Sequence, residues 1–126
     1  YHDLSHSGKD PEKLRQLHII ESALMAEFDR FLEKLSTMTD IGGTSLLDNT
    51  TVVFGSGMGN ASAHANTNLP VILAGGGFKH GRHLFFPKNG RQQTPLCDLY
   101  VTLLQQMGVE RDKFGSNKGN LNQLLV

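Results

Sequence analysis

The stretch Thr50-Thr51-Val52-Val53-Phe54-Gly55-Ser56-Gly57-Met58-Gly59 decides how the rest of the chain is read. Asp48-Asn49 ahead of it is a turn signal. Thr50 to Phe54 is β-branched and apolar without alternation, the pattern of a central strand covered on both faces. The run behind it, through Asn60-Ala61-Ser62-Ala63-His64, is polar and rich in small residues, and reads as a loop. Further on, Leu69-Pro70-Val71-Ile72-Leu73-Ala74, closed by Gly75-Gly76-Gly77, reads as a second covered strand. His83-Leu84-Phe85-Phe86 reads as a third, short one.

Upstream, Asp10-Pro11-Glu12 is a helix start: the aspartate caps, proline suits the first helical position, and an acid follows in the positive first turn. Leu14, Leu17, Leu24, Met25, Phe28, Phe31, Leu32 and Leu35 then recur at three-four spacing along one face, with Glu21 on the same stripe in need of a partner or solvent. Thr94-Pro95 opens a second helix by the same logic; its stripe is Leu96, Leu99, Tyr100, Leu103, Leu104 and Met107, and Gly108 ends it. Strands alternating with helices argue for an α/β layered fold with a mostly parallel sheet and flanking helices. Two or three strands and two helices make such a sheet thin, so the expectation is that residues 1–126 form one domain that is part of a longer chain.

The bulk composition narrows the function classes. A length of 126 residues suits one domain. Lys+Arg and Asp+Glu both number 12, so no net charge draws the chain to nucleic acid or to an anionic membrane. No apolar run is long enough to span a bilayer. The single Cys97 excludes an internal disulfide. Tyr1, not Met, comes first, with no leader before it, which reads as a mature or truncated piece.

Three histidines carry the chemistry. His2 and His6 lie in Tyr1-His2-Asp3-Leu4-Ser5-His6, and His64 follows the first strand. Three imidazoles drawn from two loops can hold one divalent transition metal, zinc by preference, and leave a coordination position open. The plainer reading is a solvated pair near a frayed terminus and a loop histidine. Protons and metal compete for the same nitrogens, so acid should weaken binding. Asp3 is either a carboxylate that orients a ring or a surface aspartate.

Taken in order, Tyr-His-x-x-Ser-His, Leu47-Asp48-Asn49-Thr50, Gly55-Ser56-Gly57-Met58-Gly59, His64, Asn68-Leu69-Pro70-Val71, Ala74-Gly75-Gly76-Gly77, Gly81-Arg82-His83 and Thr94-Pro95-Leu96 form one series. The series resembles the C-terminal part of the HXXSHH-motif family, uncharacterised bacterial proteins that are mostly exported. One departure is visible: that motif ends in His-His, and here Ser7 follows His6. The family is in turn distantly similar to the alkaline phosphatase and sulfatase superfamily, whose two-metal site uses D-x-x-x-H, a later histidine and a strand ending in Asp-His-Gly. The resemblance implies an alkaline-phosphatase-like fold. It also implies one metal position kept, as His2, His6 and His64, and one lost, because Gly57 and Met58 stand where the Asp-His pair would be. It implies export to the periplasm or beyond, and a nucleophile that lies outside this chain.

The remaining motifs have weaker readings. Gly55-Ser56-Gly57-Met58-Gly59 puts its third glycine one residue early for a dinucleotide fingerprint, and no helix follows. Phe54 and Met58 stand where a nucleophile elbow needs glycines. A sharp turn with close backbone approach accounts for the glycines. Gly75 to Gly77 with His80, Arg82 and His83 could bind an anion, although a connecting loop is the simpler account. Cys97 near a helix start is either an activated thiol or a small packed residue. His18 is read as structural. Two functions therefore stand side by side. One is a metal-binding domain, for which the resemblance implies a hydrolase of phosphate or sulfate esters. The other is a non-catalytic scaffold that kept a fold and lost its chemistry. An incomplete sheet leads to a further expectation of association, with a missing N-terminal segment or with a second copy.

Overall fold

A computed structural model describes residues 1–86 and 93–126. By internal packing the chain divides into two compact units, Tyr1–Leu73 and Ala74–Val126.

The first unit opens with a four-residue helix, α1 (His2–Ser5), followed by the 27-residue helix α2 (Pro11–Thr37). The start of α2 is the one written in the sequence. Asp10 Oδ1 accepts from the backbone N–H groups of Glu12 and Lys13 at 2.8 and 3.1 Å, and Pro11 takes the first helical position. The helix ends where Met38 turns extended, with the Thr37 hydroxyl bonded back to the carbonyls of Glu33 and Lys34. Leu17, Ile20, Phe28, Leu32 and Leu35 form a half-buried stripe. Leu14, Ile19, Leu24, Met25 and Phe31 are exposed. The apolar residues of α2 thus divide between an inner and an outer face, where the sequence suggests one continuous stripe. Glu21 finds a partner in the Tyr1 hydroxyl, which donates to Glu21 Oε1 at 3.3 Å. Partial burial, the charge of Glu21 and that hydrogen bond all push the Tyr1 phenol pKa up.

Strands β1 (Thr51–Gly55) and β2 (Val71–Gly75) make a two-stranded sheet, and β2 runs on into the second unit. This sheet overturns the expected layered, mostly parallel α/β architecture. The strands are antiparallel, and among the described residues no alkaline-phosphatase-like core is formed. The connection explains the direction: Ser56 N–H donates to Pro70 O at 3.2 Å, so residues 56–70 fold back as a long hairpin loop. The apolar runs do not mark coverage on two faces either. Phe54 faces α2, with its ring 4.5 Å from that of Phe28. Val53 and Ile72 remain 41% and 39% exposed. His83–Phe86, expected as a third strand, is irregular, and Phe85 is largely exposed.

Among the described residues, full burial begins only in the second unit, with Phe78, Leu99, Val101 and Leu121. There α3 (Leu96–Gln106) turns its Asp98, Leu99, Val101, Thr102 face inward. Pro95, not Thr94, occupies the cap position, so the helix starts one residue later than expected, and among the described residues no side-chain hydrogen bond caps it. Gly108, at a φ of +79°, ends it. The chain's last residues wrap back onto α3. Asp98 Oδ1 accepts from the N–H groups of Lys118 and Gly119, and Thr102 Oγ1 accepts from Leu121 N–H at 2.6 Å. Lys79 N–H bonds to Leu124 O, and Val126 N–H to Gly77 O, which places the apolar terminus beside residues 77–79. Asn122–Leu124 forms a single 3₁₀ turn in this tail.

Candidate functional site

The three histidines belong to the first unit and meet there. His2 is the first residue of α1 and His6 closes it, so one helical turn puts both rings on one side. Their centroids are 4.3 Å apart with planes 20° from parallel. His64 comes from the loop behind β1, and its ring centroid is 4.7 Å from that of His6. His6 Nε2 and His64 Nε2 are 3.0 Å apart.

The loop is built to hold His64 there. Asn60 pairs with Ala65 across a tight turn: Ala65 N–H bonds to Asn60 O at 3.0 Å, and Gly59 N–H to Ala65 O at 2.9 Å. Asn60 Oδ1 accepts from Ala63 N–H at 3.1 Å. His64 takes a left-handed conformation, φ +48°, that histidine adopts more readily than most residues. Ser62 Oγ donates to Ser5 O at 3.4 Å, which ties the loop to the end of α1. Gly59 is required by close approach, because a methyl there would stand 2.1 Å from Thr67 O and 2.7 Å from Asn68 O. Gly59 is therefore accounted for by the turn, whereas a methyl at Gly57 would meet nothing within 4 Å.

Two imidazole nitrogens on one tetrahedral ion, each at about 2.0–2.1 Å, lie roughly 3.3 Å apart. The 3.0 Å separation of His6 and His64 needs only a few tenths of an ångström to reach that value. The His2 ring stacks on that of His6, 20° from parallel. No group of three or more His, Cys, Asp or Glu among the described residues is arranged to hold a metal ion. Two ring nitrogens converge and the third, exposed ring lies alongside, so a three-histidine centre requires these rings to rearrange.

The other candidates are spoken for. Asp3 pairs with Lys13 Nζ at 3.1 Å and joins α1 to α2, so it is not aimed at a ring. His80 Nε2 donates to Gly75 O at 2.6 Å, and Arg82 Nη2 to Gln123 O at 3.2 Å, which makes both part of the loop and tail structure. Cys97 is half-buried, with its Sγ against Gly115 and 3.8 Å from Ser116 Oγ. His18 lies exposed on α2. Sequence reasoning passed over Ser5, whose Oγ is 3.2 Å from His6 Nδ1. The available signal was its place inside a helical turn, where serine hydroxyls bond back to the carbonyl three or four residues earlier. No helix among the described residues is long and apolar enough to cross a membrane. Comparison with protein-family models, with curated proteins and with solved structures gives no match.

Proposed function

We propose that the chain is a metal-binding domain in which His2, His6 and His64 hold one divalent transition metal, zinc by ligand preference. The observation that carries this reading is the 3.0 Å approach of the His6 and His64 Nε2 atoms, from residues far apart in sequence. The stacking of His2 on His6 supplies a third imidazole beside the pair. The resemblance of the motif series to the HXXSHH-motif proteins supports the same reading and adds export to it. When bound, a three-histidine ion supplies a Lewis acid with a fourth position for water or for an oxygen of a phosphate or sulfate ester. The chain's own contribution is to bring the two rings together from a helical turn and a loop turn, with His6 half-buried and His64 exposed.

The test is metal analysis of purified protein alongside His64→Ala. The reading expects about one zinc per chain, lost in the variant. A second reading, a binding or scaffold domain without chemistry, is favoured by the lack of a three-ligand arrangement among the described residues. A parent protein that takes up no metal supports the scaffold.

A further inference from the structure

Ser5 makes a set of contacts that the metal reading does not yet use. Its Oγ lies 2.9 Å from the carbonyl oxygen of His2 and 3.2 Å from His6 Nδ1. His6 Nδ1 in turn lies 3.2 Å from the same carbonyl. A carbonyl oxygen has no proton to give, so the Ser5 hydroxyl donates to it. By the same rule, the His6 contact is a hydrogen bond only when Nδ1 carries the ring proton. The other tautomer would set a ring lone pair against a carbonyl lone pair at 3.2 Å. With Nδ1 protonated, the Ser5 oxygen also accepts from it, and all three contacts are satisfied together.

The consequence falls on the opposite side of the ring. A neutral imidazole protonated at Nδ1 keeps its lone pair on Nε2, the atom that faces His64 at 3.0 Å. We propose that Ser5 is a positioning residue: with the His2 carbonyl it fixes the Nδ1–H tautomer of His6 and aims the Nε2 lone pair at the centre a divalent metal would occupy. This rests on the metal-binding reading. In the metal-free protein His64 donates its Nε2 proton to that lone pair. For metal to bind, His64 must change tautomer, releasing the Nε2 proton and taking one up at Nδ1, so that the ring stays neutral with its Nε2 lone pair free. Ser5 also links the two halves of the site, since its carbonyl receives the Ser62 hydroxyl.

The test compares wild type, Ser5→Ala and Ser5→Thr, each ¹⁵N-labelled, metal-free and in mildly alkaline buffer. Long-range ¹H–¹⁵N correlation reads the tautomer of every ring. The expected result is a His6 ring protonated at Nδ1 in wild type, a mixture in Ser5→Ala, and recovery in Ser5→Thr. Zinc affinity should fall about 10–100-fold in Ser5→Ala and return in Ser5→Thr. A wild-type His6 protonated at Nε2, or a tautomer indifferent to Ser5→Ala, would overturn the proposal. A tautomer that follows Ser5 in a protein that takes up no zinc would instead remove the metal reading and support the assignment made to Ser5.

Discussion

Phe28 on α2 stacks against Phe54 on β1 with 4.5 Å between ring centroids and 23° between planes. This contact decides which face of the small sheet is covered. Neighbouring side chains of a strand point to opposite faces, so fixing Phe54 inward turns Val53 outward, where it is 41% exposed. Both rings are only half-buried. Each alanine substitution should therefore cost about 2 kcal/mol, below the range for a fully buried phenylalanine. A double-mutant cycle of Phe28→Ala and Phe54→Ala by urea denaturation should return a coupling of about 0.5–1.5 kcal/mol. Strict additivity would show that the stack contributes nothing.

Gly59 and Gly57 should behave in opposite ways although they sit two places apart. A methyl at Gly59 would collide with the backbone carbonyls of Thr67 and Asn68, at 2.1 and 2.7 Å, and only a backbone shift could relieve it. A methyl at Gly57 would meet nothing within 4 Å. Gly59→Ala should lose more than about 2 kcal/mol, whereas Gly57→Ala should stay within about 0.5 kcal/mol of wild type. Thermal unfolding of the two variants side by side measures the difference.

The first turn of α2 has a defined response to acid. Hydrogen bonds from Arg15, then from Gln16, hold the Glu12 carboxyl down to about 2 from its ordinary 4.5. A depressed folded-state pKa means that the stabilisation is complete above about 4.5 and is lost as pH falls toward about 2. Carboxyl ¹³C shifts across an acid titration should place the Glu12 midpoint near the low end of that window. In an Arg15→Ala variant the midpoint should move up toward the ordinary value.

Asp10→Ala removes the acceptor of two backbone N–H groups at the start of α2. The expected loss is about 1 kcal/mol, with Asp10→Asn close to wild type. Chemical denaturation followed by helical circular dichroism checks both.

How much of this was legible follows from where each feature gets its information. The start of α2 was readable because cap, proline and acid act within one turn of chain. The same holds for the Gly108 stop and for both strand segments, whose β-branched residues lie together in sequence. Strand direction was not readable. An apolar run looks the same in a parallel and an antiparallel sheet, and the direction here is set by the closure of residues 56–70 between Ser56 and Pro70. Coverage was misread for a related reason, because Val53 and Ile72 are apolar yet face outward. The role of Gly59 depends on Thr67 and Asn68 folding back over it, which spacing alone does not announce. At the candidate site the three histidines stand out by residue type. Ser5 and Ser62 do not, since what distinguishes them is a geometry of carbonyls and ring nitrogens.

The central claim is that His2, His6 and His64 act as one set of metal ligands. Zinc titrated into ¹⁵N-labelled protein, followed through the ring nitrogens, tests it most directly, because His18, His80 and His83 serve as internal controls. The account expects the Nε2 signals of His6 and His64, with one nitrogen of His2, to move together and saturate at about one equivalent, the control rings staying still. Equal, unsaturated shifts at all histidines, or none at any, would contradict it.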